Sequence, residues 1–446
     1  MPQPVIAVID VGKTNKKLFL FNEDYTIVHE QSARFTETID EDGDPCENLE
    51  SLRQSVFDSL KYFAQLKEFE VKALNFSAYG ASFVYVDEAG KELTPLYNYL
   101  KAYPEALLKK FYESYGGEDH LSSCTASPVL GSLNSGMQVY RIRHERPALF
   151  NKIKYALHLP QYLSYVVTHK ACSDITSIGC HTNLWDFAKK KYHDWVKAEG
   201  ISEVLAPIAK YDEVTPVEYA GRKILTGIGL HDSSAALIPY LMNFQEPFIL
   251  ISSGTWCISL NPFNHQPLTI DELKKDCLCY LDYKENPVKA SRLFAGHFHD
   301  EQVQRIADHF NTPASGFKNI SFDPQLAAKF PADETGFATR DLSVYSNSEE
   351  AYHGFMTDLV AKQYASTRLA LASTPVKRIF VDGGFSKNEV FMNLLATRFP
   401  ELEVYAASIH QSTALGAALA LHKAWNRKAV ASNLITLQFY DHTKVI

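Results

Sequence analysis

The chain has 446 residues, 46% hydrophobic and 22% charged, with a formal net charge of −8. That length allows two domains or more with sizeable cores, and a mildly acidic chain without a basic run excludes the electrostatic footprint of a nucleic-acid binder. No apolar run is long enough to span a bilayer, and the seven scattered cysteines carry no disulfide or zinc pattern, so they read as reduced thiols of a cytoplasmic protein.

Val5 to Ile9 is a continuous apolar run that reads as a strand buried on both faces. Asp10, Val11, Gly12, Lys13, Thr14 and Asn15 follow, and Leu18 to Phe21 resumes the strand. This predicts a hairpin whose tip suits phosphate. Gly12 lets backbone N–H approach, Thr14 and Asn15 donate hydrogen bonds, and Lys13 or Lys16 supplies charge. Asp10 suits a Mg²⁺ ion with its waters. An ordinary turn with Gly at the bend is the plainer reading.

Glu47 to Leu66 has helical spacing, and Val71 to Phe76 is a strand running into Ser77, Ala78, Tyr79, Gly80 and Ala81. Small residues around Gly80 leave room for a ligand against backbone, or mark a bulge. Residues 115–136 are the least regular stretch and read as a lid or a partner contact. Met137 to Phe150, Leu159 to Thr168 and Trp185 to Ala198 read as helices. Pro207, Pro216 and Gly221 punctuate the approach to Gly227, where a domain boundary is placed, dividing 1–225 from 226–446.

The second half opens on Gly229, Leu230, His231, Asp232 and Ser233, ahead of an apolar segment with helical character. A carboxylate there is favoured in its charged form by the helix dipole and free N–H groups. In a cleft it can take a proton from a bound hydroxyl; the alternative is a simple N-cap. Phe248 to Ile251, then Ser252, Ser253, Gly254 and Thr255, then Trp256 to Leu260, repeat the strand, small turn, strand pattern of the first hairpin. Two such tips facing each other across a cleft would grip a polyphosphate from both sides. His297, His299 and Asp300 are too few for a metal site. Arg378 to Val381 is a strand ending in Asp382, Gly383 and Gly384, ahead of Asn388 and a helix. A Gly-Gly turn there lets a nucleotide touch backbone, and Asn388 reads a base edge or caps the helix. His410 to Trp425 reads as an Ala-rich helix.

Asp10-Val11-Gly12, Gly229 to Asp232, Ser252 to Trp256, Asp382-Gly383-Gly384 with Asn388, and Ser412 to Ala418 together resemble the FGGY carbohydrate kinases, from end to end. The Gly-x-His-Asp and Ser-Ser-Gly-Thr-Trp forms resemble the L-rhamnulose and L-fuculose kinases most. The resemblance implies an α/β fold: two ribonuclease-H-like domains, of the actin and hexokinase type, flanking a catalytic cleft. It implies ATP-dependent phosphorylation of a ketose hydroxyl, with Asp232 as general base. It places His231, Ser233, Gly80 and Ala81 at the sugar. Asp10 would hold Mg²⁺ through water. Gly12, Lys13, Thr14, Asn15, Lys16 and Lys17 would meet the ATP phosphates together with Gly254 and Thr255. Gly383, Gly384 and Asn388 would lie at the adenosine. Many members carry Trp-x-Asp-x-Arg after the Gly80 region; this chain has Tyr97-Asn98-Tyr99-Leu100-Lys101 there, which points away from the common pentuloses and glycerol. A pentulose kinase, or a non-catalytic nucleotide sensor of the same superfamily, are the other readings. The expected partners are the sugar and ATP, for a monomer or homodimer.

Overall fold

The computed structural model describes residues 2–13, 15–34, 37–332, 336–372, 374–409 and 411–441. Strand β1 (Gln3–Val11) forms an antiparallel hairpin with β2 (Asn15–Asn22), and β3 (Ile27–Arg34) adds to the far edge of β2. On its other edge β1 takes β4 (Phe69–Ala78) in parallel. The hairpin of β5 (Val214–Tyr219) and β6 (Arg222–Gly227) comes next, giving the order β5-β6-β4-β1-β2-β3. The short β7 (Leu230–His231) pairs in parallel with the end of β4.

A second sheet repeats the plan. Strands β8 (Phe248–Ser253) and β9 (Cys257–Asn261) form its hairpin; β10 (Cys277–Leu281) and β11 (Pro287–Leu293) extend the β9 edge. The parallel strands β12 (Arg378–Gly383) and β13 (Glu403–Ser408), then antiparallel β14 (Thr436–Tyr440), extend the other. The order is β10-β11-β9-β8-β12-β13-β14. In both sheets the first two strands form a hairpin, an antiparallel strand lies outside the second, and parallel strands lie outside the first. The faint sequence repeat between the two hairpins is therefore a repeat of topology.

The helices that frame the cleft and cover the sheets are α1 (Leu49–Gln65), α2 (Leu159–Thr168), α3 (Asp232–Asn243), α4 (Ala295–Phe310), α5 (Ser348–Leu371), α6 (Glu389–Arg398) and α7 (Ser412–Ala420). Alternation along β1 sends Val5, Ala7, Ile9 and Val11 against α1 and α2, while Ile6 and Val8 face α3 and α7. From the other side of α3, Leu237 and Tyr240 pack on Leu250 and Phe380 of the second sheet. Helices α3 and α7 thus lie between the two sheets, and α4, α5 and α6 cover the outer face of the second. Among the described residues no helix is long and apolar enough to cross a membrane.

Several local expectations are overturned. Residues 115–136 form no loose lid. Glu118–Thr125 is a helix, and the Ala126 carbonyl accepts the N–H of Cys279 from β10 (3.1 Å), so the segment ties the two sheets' domains together. Its Gly and Ser residues obscure helix propensity, which tertiary packing overrides. Trp185–Asp186 and Lys191–Tyr192 form a small hairpin before a helix at Asp194–Ala198, with Lys190 in the left-handed region at the bend (φ 52°). Pro147 splits the helix expected over 137–150 into Ser135–Glu145 and Pro147–Phe150. The Ala-rich helix ends at Ala420, with a separate turn at His422–Trp425; His410 lies outside the described residues. The punctuation around Pro216 belongs to strands, with Pro216 tolerated because β5 is an edge strand.

Candidate active site

The site is built where β7 ends and α3 begins. Gly229 has φ +82°, and a Cβ there would fall 2.3 Å from the Pro160 carbonyl, so only glycine lets this turn cross the start of α2. His231 is the N-cap residue of α3, and its side chain caps nothing; Asp232 is the first helical residue. The simple N-cap reading of Asp232 is thus corrected. Its Oδ1 accepts the Ser233 N–H (2.5 Å) and the Ser233 hydroxyl (3.2 Å), and His231 Nε2 stands 3.2 Å away. Its Oδ2 has no protein partner among the described residues, and the side chain is 32% exposed. One carboxylate oxygen is fixed by the helix terminus, and the other is available.

Asp232 and Ser233 line a cavity of about 180 Å³ together with Tyr79, Gly80, Ala81 and Tyr99 from one domain, and Trp256, Tyr280 and Arg292 from the other. His231 lines it too, so all four residues expected at the sugar are gathered there. Gly80 is required by proximity: a Cβ on it would lie 2.7 Å from His231 Cδ2. Ala81 holds a left-handed φ of 67°, and His181, also in the wall, one of 40°. Non-glycine residues in that region are strained and collect at functional sites.

Asp10, one residue before the end of β1, lies on the same face as Val8, opposite Lys17 in β2 and Ser77 in β4. Burial, and then the negative charge of Asp232, push its carboxyl up to about 7; Ser77 and Lys17 pull the other way. A buried carboxyl whose ionisation is opposed by a neighbouring carboxylate is a donor that a hard cation relieves. No three His, Cys, Asp or Glu side chains gather to hold a metal among the described residues. The fit is to an ion such as Mg²⁺, which keeps waters and shares its shell with phosphate.

The first hairpin tip is less uniform than its sequence. Adjacent strand residues point to opposite faces. Lys17 faces the cleft side, 3.4 Å from Gln411 Oε1 and 3.7 Å from Glu30, whereas Lys16 points to α1 and donates to the Ser55 hydroxyl (3.1 Å). The expectation that Lys16 offers charge to a phosphate is corrected by this alternation. Lys13 is held by Glu47 (2.8 Å) above the rings of Tyr79 and Tyr99, and the Tyr79 hydroxyl donates to the same Glu47 oxygen (2.6 Å). The Gly12 N–H donates to the Asn15 carbonyl (2.9 Å) and so closes the turn instead of facing a ligand. Asn15 is exposed as the first residue of β2, and Thr14 lies outside the described residues.

Across the cleft the parallel register places Ser252 beside Asp382 and Ser253 beside Gly383. The Ser253 hydroxyl donates to the Asp382 carbonyl (2.5 Å) and accepts the Phe385 N–H (3.0 Å). This locks the second hairpin tip to the Gly383-Gly384 turn. Gly254, Thr255, Gly383 and Gly384 are all exposed. The Thr255 carbonyl accepts N–H groups of Gly296 and His297 at the start of α4 (3.1 and 3.3 Å). Asn388 is the N-cap of α6, accepting the Phe391 N–H (2.9 Å) and donating to the Tyr352 hydroxyl (2.7 Å). Each end of its amide is engaged once, and the capping role is the one the geometry shows.

Sequence reasoning missed the part played by three groups. Asp174 is fully buried; its Oδ2 accepts from the Thr176 hydroxyl, which in turn accepts the His231 N–H (3.0 Å). Asp174 thereby holds the strand that presents Asp232. Burial pushes its carboxyl up to about 7, and its Oδ1 has no partner among the described residues. The pair Asp174 and Thr176 was visible in the sequence, but their contact with His231 is long-range. His181 and Arg292, also in the cavity wall, were not singled out in the sequence.

Comparison with known proteins adds the family. The N-terminal domain of the FGGY family of carbohydrate kinases matches residues 5–236, and the Carbohydrate kinase FGGY C-terminal domain matches 245–429. A rhamnulokinase of Halalkalibacterium halodurans is 24% identical over 259 residues, 56% of this chain and 52% of that protein, so the match spans about half the relative's length. A gluconokinase of Bacillus licheniformis is 21% identical over 92% of this chain and 86% of its own. The crystal structure of a carbohydrate kinase from Novosphingobium aromaticivorans shares the fold with a TM-score of 0.80, at 22% identity, over 99% of this chain and 95% of that one. With its two domain signatures covering most of its length, the chain belongs to the FGGY family of carbohydrate kinases.

Proposed function

We propose that the protein transfers the γ-phosphoryl group of ATP to a hydroxyl of a ketose, with Asp232 as the general base. A 6-deoxyketohexose of the L-rhamnulose or L-fuculose type is the first candidate. The observation that carries this reading is the Oδ2 of Asp232, without a partner among the described residues, in a cavity lined by both domains. The sugar lies among Gly80, Ala81, His231 and Ser233. Its hydroxyl gives its proton to Asp232 Oδ2 as its oxygen attacks the γ-phosphorus, and the bond from that phosphorus to the β–γ bridging oxygen breaks, so that ADP leaves. Phosphoryl transfer depends on positioning and charge neutralisation more than on covalent chemistry. Lys17, Gly254 and Thr255 flank the phosphates, and Gly383 and Gly384 present bare backbone to the adenosine. Asp10 would hold Mg²⁺ through water, and that ion, when bound, neutralises phosphate charge. The two domains, closing on both ligands, exclude the water that competes as acceptor.

Two variants probe the two ends of the cleft. Gly80→Ala places a methyl against the His231 ring, so His231 and the adjoining Asp232 must shift. The expected result is a loss of about 10- to 100-fold in kcat, of the order that a small displacement of a catalytic group costs, together with a lower thermal midpoint, because the methyl overpacks a buried site. Gly384→Val adds side-chain bulk where a Cβ meets nothing within 4 Å, so folding is undisturbed. An increased KM for ATP with an unchanged KM for sugar is expected; an unchanged ATP KM would place the adenosine elsewhere.

A coupled ADP-release screen over L-rhamnulose, L-fuculose, L- and D-xylulose and L- and D-ribulose tests the function itself. Release with a 6-deoxyketohexose at the highest kcat/KM supports the first candidate. A pentulose at the top supports the pentulose reading. ATP binding without release on any ketose would favour the non-catalytic sensor.

A further inference from the structure

The cation-bearing stretch after the Gly80 region does not reach the cavity with its charge. Lys101 is buried among Asp40, Asp42 and Asp44, with Nζ at 2.5, 2.7 and 3.2 Å from their carboxylates. Lys13 is held by Glu47. The cation in the cavity wall is instead Arg292, from β11 of the other sheet. It is only 9% exposed. Its Nε and Nη2 donate to Asp276 (3.1 and 2.7 Å), and its guanidinium lies 5.2 Å from the Trp256 ring centroid. Nη1 has no partner among the described residues, and it is not one of the buried polar atoms sealed from solvent. A buried guanidinium with two nitrogens fixed on a carboxylate and the third left over is a preorganised hydrogen-bond donor.

An acceptor stands in the same wall. His181 Nδ1 lies 3.2 Å from the Leu133 carbonyl, so that nitrogen carries the proton and donates. Nε2 is then a lone-pair acceptor, and it makes no hydrogen bond among the described residues. The imidazole is neutral: burial, and then the nearby Arg292 charge, holds it well below the usual histidine range. Both groups share the cavity with Asp232 Oδ2.

We propose that Arg292 Nη1 and His181 Nε2 form a donor and acceptor pair that reads two neighbouring oxygens of the sugar, away from the hydroxyl that Asp232 deprotonates, and that this pair sets substrate choice. The inference rests on the kinase reading and deepens it. It also names the class. Arg292 is already neutralised by Asp276, and Asp232 contributes a negative charge to the same cavity, so the pair suits a neutral polyhydroxy ketone and not a sugar acid. A carbonyl or hydroxyl oxygen accepts from Arg292, and an adjacent hydroxyl donates to His181. Because Arg292 and Trp256 come from the C-terminal sheet while Tyr99 and Ala81 come from the N-terminal domain, the sugar is recognised by both domains at once.

The test compares wild type, Arg292→Lys and Arg292→Gln in steady-state ADP release over the ketose panel and D-gluconate. Lysine keeps a charge beside Asp276 but loses the fixed third donor; glutamine keeps a donor without the charge. A site built to hydrogen-bond a substrate oxygen discriminates strongly when its donor is lost, so an increase in sugar KM of about 10- to 100-fold is expected in both variants. The KM for ATP is expected to stay within about threefold, and the ranking of epimeric ketoses to flatten. A purely structural role for Arg292 would move the thermal midpoint and both KM values together. Unchanged sugar KM and unchanged ranking in an active Arg292→Lys protein would overturn this assignment and leave the kinase reading standing. A wild type that prefers D-gluconate to every ketose would overturn the neutral-sugar class. A wild type that releases ADP with none of the compounds would overturn the kinase reading, and this inference with it.

Discussion

Replacing Asp232 by Asn is expected to lower kcat by about two to four orders of magnitude, the usual contribution of a positioned general base. ATP and sugar are expected to bind as before. The reason is geometric. The amide oxygen of Asn still accepts the Ser233 N–H that fixes Oδ1 in the wild type, so the side chain keeps its place at the head of α3. The change falls on the other atom: Oδ2, which faces the cleft without a partner, becomes an NH₂ group that cannot take a proton. Loss of kcat without loss of binding, read by steady-state kinetics and by calorimetric titration of each ligand, is the signature. Near-normal turnover would remove the base assignment. Equal loss of both ligands would mean that the helix start had moved.

Asp174→Asn has its largest effect on stability, and that effect depends on pH. The Asp174 carboxyl is raised from 3.8 to about 7 in the folded protein by burial. A group whose folded value lies above its unfolded value stabilises the fold at low pH, where the folded state holds the extra proton. That advantage is lost as pH rises from the unfolded value through the folded one. Between about pH 4 and 7, wild type is therefore expected to lose about 2–4 kcal/mol relative to Asp174→Asn, which does not titrate. Denaturant midpoints of the two proteins measured at pH 5 and at pH 8 check this. A difference between them that stays constant over that range would show that Asp174 ionises normally. Because Thr176 links Asp174 to the His231 backbone, a moderate fall in kcat is expected in the variant as well.

Much of the plan is legible in short continuous stretches. The two hairpin tips, the strand ending in Asp382-Gly383-Gly384 and the turn before Asp232 are each defined by neighbouring residues, so one sequence reveals them. The repeat between Asp10 to Lys17 and Ser252 to Trp256 reads as a weak similarity and becomes, in space, a hairpin with a parallel strand beside its first strand in each of the two sheets. What stayed hidden depends on contacts between distant residues. Lys16 and Lys17 look equivalent in the sequence, yet strand alternation sends one to α1 and the other toward Asp10. Gly12 and Asn388 look like ligand contacts, yet the turn and the helix cap use their hydrogen-bonding groups internally. Arg292 arrives on β11, and only the pairing of that strand with β9 carries its guanidinium to the cavity wall. The segment over 115–136 is rich in Gly and Ser, yet Glu118–Thr125 within it forms a helix whose C-terminal neighbour Ala126 packs between the domains, where burial outweighs propensity.

The most direct test of phosphoryl transfer through Asp232 tracks the phosphorus itself. Wild-type protein, Mg²⁺, ATP and the best ketose of the panel are observed together by phosphorus NMR. A new phosphomonoester resonance growing in step with ADP, and suppressed at least about a hundredfold in Asp232→Asn, is the expected result. ATP converted only to ADP and inorganic phosphate, or a phosphomonoester formed equally fast by Asp232→Asn, would contradict the account.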